Sequence, residues 1–261
     1  MPNLDQARPF EFDTGGEVGV VLLHGFTGAP QEVEPLGRIL SEAGISSLGP
    51  LLPGHGSRLE ELNEVRWQDW NGAAREAVEA ASGRWSRVLV GGLSMGGALA
   101  LHLGCHQPDL VCGVFALAAP ARLKGLKVKL VPWLAPLLPV IRSVRPPEEE
   151  ARLQGIRVCY DGQPLYGVLQ LIEFLDHLRL DLPELKRPTL LVHSRSDQTI
   201  PFENQAEIAS LVGTSELRQV ALDRSDHIVT QDVERDEVFR AVTLFVREVA
   251  LERSSGQSMV G

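Results

Sequence analysis

Ser94 stands among four glycines in "GGLSMGG", residues 91–97. Gly92, Leu93, Ser94, Met95 and Gly96 fit G-x-S-x-G, a pattern that presents a nucleophilic serine when a strand precedes it and a helix follows. A serine hydroxyl is a weak nucleophile until a base takes its proton, and that base is usually a histidine oriented by a carboxylate. The chemistry would be acyl transfer through a covalent acyl-enzyme. The glycines need a reason, because each destabilises a helix by about 1 kcal/mol relative to alanine. A strand turning abruptly into a helix strains the serine and brings flanking backbone so close that a Cβ has no room. The helix N-terminus then offers N–H groups and a favourable dipole to developing negative charge.

The base and acid should follow the serine in the order Ser, Asp/Glu, His. Among seven histidines, His24 and His55 precede Ser94. His102 and His106 lie on the helix leaving the serine, pointing away from the strand edge. His177 falls on a later helix, and His193 within an apolar strand reads as a core or strand-end residue. His227, in "DRSDHIV" directly after a predicted strand, remains as the base. Asp197 ends "LLVHSRSD" at the carboxyl end of another strand, where open α/β sheets place their functional residues, and is the candidate acid. Asp223 and Asp226 adjoin the histidine too closely in sequence to orient its far ring nitrogen and read as solvated loop charges. Oxyanion donors are expected from the backbone N–H of Met95 and, in "LHGFTG", from that of Phe26. His24 reads as structural, hydrogen-bonded beneath that loop.

The elements that must hold these residues are legible as strand–helix alternation, the pattern of a parallel sheet with helices on both faces. "VGVVLL", "ISSLGP", "RVLVGGLS", "VCGVFALAAP", "PTLLVHS" and "ELRQVALD" read as strands. Residues 28–44, 67–83, 95–107 and 234–252 read as helices. The alternation breaks at residues 122–182: 130–141 is apolar and punctuated by three prolines, "RPPEEEAR" reads as a charged turn, and 164–179 as a helix. Two bodies are expected, a core of residues 1–121 and 183–253 and a cap insertion of 122–182, with residues 254–261 as a disordered tail.

Composition narrows the functions. With a formal net charge of −9 and no Lys/Arg-rich run, the chain is poorly suited to nucleic acid or an anionic surface. Three cysteines, Cys105, Cys112 and Cys159, have neither metal-like nor disulfide spacing and read as reduced thiols. The first residues lack the apolar run of a signal peptide, and no stretch is apolar and long enough to span a membrane. A cytoplasmic protein without metal or cofactor is expected.

"LLHGFTGAP", "LLPGHGSRLEEL", "WQDW", "GLSMGG", "HSRSDQTIPFEN" and "DHIVTQD" resemble the α/β-hydrolases of the bacterial carboxylesterase and monoacylglycerol lipase group, over residues 10–252. The resemblance implies a mostly parallel sheet of about eight strands, a small cap, and hydrolysis of carboxylic esters with medium or long acyl chains. It sets Ser94, Asp197 and His227 on the triad, and Phe26 and Met95 on the oxyanion hole. "VCYDGQPLYGVLQL" is similar to a cap stretch that carries an acidic residue against a glycerol head group, usually glutamate, which would be Asp161 here. Leu137 and Ile141, in the apolar run, would line an acyl pocket or belong to a lid that meets lipid. The implied partner is a small ester or lipid, with the chain a monomer or homodimer. A carboxylesterase of short or xenobiotic esters, a thioesterase or acyltransferase, and a non-catalytic ligand-binding module remain alternatives on the same fold.

Overall fold

The computed structural model describes residues 6–142 and 158–256. At its centre are six parallel strands, five of them mainly buried and the last half-exposed. They are β2 (Val18–Leu23), β3 (Ser46–Gly49), β4 (Arg87–Leu93), β5 (Val111–Leu117), β8 (Thr189–Ser194) and β9 (Leu217–Leu222). The order β1-β3-β2-β4-β5-β8-β9 adds β1 (Phe10–Phe12) as an antiparallel edge. Strand order reverses between β2 and β4, so β4 lies mid-sheet with β2 and β5 as neighbours.

Among the described residues the main sheet therefore has seven strands, where the resemblance implied about eight. From β1 the chain turns through Gly15, at φ 72°, straight into β2, leaving one antiparallel strand at this edge.

The apolar runs fill two layers because successive strand residues point to opposite faces. Val20 and Leu22 of β2 join one core with α1 (Glu34–Glu42) and α7 (Arg235–Gly256). Val21 and Leu23 join the other, with α2 (Trp67–Ser82), α3 (Met95–His106) and Ile208 of α6 (Glu203–Leu211). The helix expected over 28–44 is broken: a 3₁₀ turn spans Pro30–Glu32 and α1 begins afterwards. Pro35 explains the break, since a residue without an N–H is accommodated only in a helix's first turn.

Between β5 and β8 the chain forms α4 (Leu126–Leu134), a two-stranded ribbon of β6 (Val140–Arg142) and β7 (Gly162–Pro164), and α5 (Leu165–Asp181). Asn63 Oδ1 accepts the N–H groups of Tyr166 and Gly167 at 3.0 and 3.3 Å, fixing the start of α5. Along its length Phe174, Leu175 and Leu178 sink into the core beside α3. The charged stretch 145–152 lies outside the described residues. So does the end of the expected tail from residue 257, whereas 254–256 continue α7.

Candidate active site

Ser94 sits where β4 stops and α3 starts, with φ 55° and ψ −119°. This left-handed conformation is strained for serine. It is held by the Ser94 N–H donating to Leu117 O at 2.8 Å and by Ser94 O accepting from Ala98 N–H at 3.0 Å. A Cβ on Gly96 would lie 2.1 Å from Leu23 O, and one on Gly92 would lie 2.5 Å from that oxygen. Backbone passes backbone at both positions, so the glycines are there for close approach.

His227 lies on the loop after β9, and its Nε2 is 2.9 Å from Ser94 Oγ. Its Nδ1 is 2.7 Å from Asp197 Oδ2. Donation from Nδ1–H to the carboxylate leaves the Nε2 lone pair facing the serine hydroxyl. The structure therefore joins the three residues named from the sequence. Asp197 is buried just beyond β8. Its Oδ1 accepts from Thr199 N–H and Ile200 N–H, each at 2.8 Å. Burial alone would raise this carboxyl's pKa. The hydrogen bonds from His193 and His227, the His227 charge and the Ile200 N–H outweigh it and hold the group well below the usual carboxylate range.

Three further residues shape the site and were not singled out from the sequence. His193 Nε2 lies 2.9 Å from Ile200 O and 3.3 Å from Asp197 Oδ2, so this strand histidine also touches the acid. Glu234, buried at the approach to α7, gathers the loop that carries His227. Its carboxylate accepts from the N–H groups of Asp223, Arg224 and Ser225 at 3.2, 2.9 and 2.7 Å, and from Ser225 Oγ at 2.8 Å. Burial pushes its pKa up, but those donors dominate and bring it down to about 2. Glu32 serves the loop after β2 in the same way: its Oε2 accepts the Gly25 N–H at 3.1 Å, and a Cβ on Gly28 would lie 2.2 Å from that oxygen. No local sequence pattern marks either glutamate, because each partner loop is reached only by folding.

Phe26 follows Gly25 in this loop. A Cβ on Gly25 would stand 3.4 Å from Ser94 Cβ, so the loop runs directly beside the nucleophile. Met95 opens α3 on the other side. The Phe26 ring stacks edge-on to Trp70 at 5.7 Å. Beneath the loop, Leu52 N–H donates to His24 Nε2 at 3.1 Å, and the opposite nitrogen of His24 reaches Gly25 O at 2.9 Å. Burial, with the neighbouring His55 second, depresses His24 well below the usual histidine range, and burial brings His55 to about 4. Both rings are neutral structural supports.

The remaining candidate residues belong to the insertion. Asp161 Oδ1 accepts from Arg142 at 3.2 Å, and Arg142 also pairs with Glu60 at 3.0 Å. Leu137 is 78% exposed and Ile141 42% exposed, so both sit on the outer surface and do not line an enclosed pocket. Asp223 and Asp226 are exposed as expected, but Asp226 Oδ1 also accepts the Gln198 N–H at 3.0 Å, joining the two loops that carry acid and base.

A serine on a strand–helix turn in a mid-sheet strand, with its acid and base beyond the carboxyl ends of two others, defines an α/β-hydrolase. A family profile described as "Serine aminopeptidase, S33" (Hydrolase_4) matches residues 17–234. The chain belongs to this family. It is 29% identical over 250 residues to a thermostable monoacylglycerol lipase of Bacillus sp. (strain H-257), covering 94% of this chain and 97% of the relative. It is 29% identical over 245 residues to a carboxylesterase of Bacillus subtilis (strain 168), covering 93% and 97%. A structure from work on the metagenome-derived lipolytic enzymes LipS and LipT superposes with a TM-score of 0.84 at 25% identity, covering 93% of this chain and 98% of that one. The monoacylglycerol lipase of Paleococcus ferrophilus shares the fold, with a TM-score of 0.77 at 18% identity and coverage of 94% and 99%.

Proposed function

We propose that the chain is a carboxylic ester hydrolase acting through an acyl-enzyme, with medium- or long-chain acyl esters such as monoacylglycerols as substrates. Ser94 Oγ attacks the ester carbonyl carbon while His227 Nε2 takes its proton and then gives it to the leaving alcohol. Water repeats the cycle and frees the acid. Asp197 holds the imidazole in the correct tautomer and stabilises its charged form. The N–H groups of Met95 and Phe26 receive the oxyanion, each contributing about 10²–10³ in turnover. The observation that carries this reading is the unbroken Ser94–His227–Asp197 relay, at 2.9 and 2.7 Å, on a strained serine. A module that only binds ligand has no need of that strain. The names of the two Bacillus relatives support ester hydrolysis.

Residues 122–182 act as the cap in this reading. Trp133 is 77% exposed, and with Leu126, Leu137 and Leu138 it forms an apolar outer surface suited to transient contact with lipid. Among the described residues no helix is long and apolar enough to cross a membrane. A reducing compartment, the cytoplasm, suits three cysteines without disulfide spacing. A glycerol contact through Asp161 requires its carboxylate to turn away from Arg142, so its effect belongs in KM for monoacylglycerols. Cleavage of peptides from an amino terminus is less well supported: a substrate ammonium wants an unneutralised carboxylate, and Asp161 and Glu60 both pair with Arg142.

The test is a panel of p-nitrophenyl esters from acetyl to palmitoyl, with monoacylglycerols of matching chain length, given to the protein and to Ser94→Ala. Turnover of the longer esters and of monoacylglycerols is expected, with a loss of about 10⁶ in kcat for the variant. Activity unchanged in Ser94→Ala would refute the mechanism. Turnover of short activated esters alone would remove the lipid substrate class.

A further inference from the structure

We propose that His102, His106 and Asp181 form a binding site for one divalent transition-metal ion of the zinc class, linking α3 to α5. His102 and His106 are one helical turn apart on α3, so both side chains lie on the same face. Asp181 is the last residue of α5. Its Oδ2 lies 3.1 Å from His102 Nδ1 and 3.1 Å from His106 Nε2. The three ligand atoms all fall within 4.8 Å of one another. Ligands on a tetrahedral zinc at about 2.0–2.2 Å are separated from each other by roughly 3.3–3.5 Å. The cluster thus already has nearly the spacing that such an ion imposes.

A second observation points to a ligand. His102 is only 6% exposed, and its buried Nδ1 makes no hydrogen bond. Its near neighbour, at 3.1 Å, is Asp181 Oδ2, itself one of the three ligand atoms. A buried polar atom without a hydrogen bond calls for an explanation, and a bound ion is a recognised one. An ion seated among the three atoms would use that nitrogen as a donor of its lone pair. The two imidazole rings are tilted by 51° with centroids 4.3 Å apart, so two imidazole nitrogens and one carboxylate converge. Cys105, between the histidines, is engaged elsewhere, with its Sγ 3.2 Å from Leu101 O.

Two imidazoles and a carboxylate are a borderline-soft to hard donor set that suits zinc and its neighbours better than calcium or magnesium. His106 and Asp181 are partly exposed, which gives an entry path and leaves the fourth position to water. The cluster is at the opposite end of α3 from Ser94, about 12–18 Å along the axis at ~1.5 Å per residue. Its role is to fasten the insertion's long helix to the core helix, a structural and not a chemical one.

The experiment uses the full chain, stripped with EDTA, dialysed, and titrated with CoCl₂ and then ZnCl₂. One Co²⁺ should bind per chain, with the intense visible bands of a four- or five-coordinate site, and Zn²⁺ should displace it. At a hundredfold excess over Kd, Tm should rise by roughly 5 °C. His106→Gln and Asp181→Asn should abolish the bands and the Tm rise while leaving metal-free ester hydrolysis unchanged. No saturable binding up to millimolar metal, or binding by both variants equal to that of the unaltered chain, would overturn the proposal.

Discussion

Replacing Asp197 with asparagine tests the relay at its most constrained atom. Asp197 Oδ1 receives two backbone N–H groups at 2.8 Å each, whereas Oδ2 faces His227 Nδ1 at 2.7 Å. Asparagine has one acceptor oxygen and one donor nitrogen. Setting its NH₂ against Thr199 N–H and Ile200 N–H would leave one buried and one part-buried donor unsatisfied, at about 1–3 kcal/mol for the buried one. The amide oxygen therefore stays with the backbone, and the NH₂ points at His227 Nδ1. That nitrogen must then accept, which puts the ring proton on Nε2, facing Ser94 Oγ. The base has become a donor. The expected loss is about 10³–10⁴ in kcat/KM, or ~4–5.5 kcal/mol. Hydrolysis of a p-nitrophenyl ester near neutral pH measures it, with circular dichroism confirming that Asp197→Asn is folded. A folded variant within tenfold of the unaltered chain would refute the tautomer argument.

Four other outcomes follow from the geometry. Gly96→Ala puts a Cβ 2.1 Å from Leu23 O, so it should destabilise the fold by more than about 3 kcal/mol or prevent soluble expression, as thermal unfolding will register. Glu234→Gln weakens the hold on three N–H groups and a hydroxyl, and should lower kcat about 10–100-fold with little change in KM, because His227 loses its placement and not its chemistry. The pH dependence has a definite sign. Glu234 falls from a usual 4.5 to about 2 on folding, so it stabilises the fold fully above 4.5 and loses that contribution as pH falls through 2. The stability gap between the unaltered chain and Glu234→Gln should be flat above pH 5 and shrink on acidification; a constant gap down to pH 2 would contradict it. Trp133→Asp should reduce hydrolysis of vesicle-borne monoacylglycerol severalfold and leave soluble p-nitrophenyl acetate unaffected, and equal loss on both would argue against a lipid-facing role for that surface.

The sequence made some parts of this molecule legible because they are local. A five-residue pattern marked Ser94, strand ends marked Asp197 and His227, and all six parallel strands stand out as short apolar or β-branched runs. What escaped depends on distant partners. β1 is three residues long and exists by pairing with β3. The ribbon of β6 and β7 joins segments on either side of the 143–157 stretch. α6, over Glu203–Leu211, has weak amphipathicity: Asn204 and Gln205 are buried, and they are satisfied by hydrogen bonds to Arg122 N–H and Leu191 O and not by apolar packing. His193 and Glu234 looked like a strand residue and a helix start, and nothing in the sequence marked Glu32. His102 and His106 carried a four-residue spacing that became a cluster only when α5 brought Asp181 to it.

Glu234 also has a temporal meaning. Ser94 is made early, His227 late, and the carboxylate that gathers the His227 loop later still, at the threshold of α7. A chain emerging from the ribosome therefore carries its strained serine without a seated base for most of its synthesis. The base that activates Ser94 is seated only after the His227 loop and Glu234 have been made, so ester turnover doubles as a readout of completed folding.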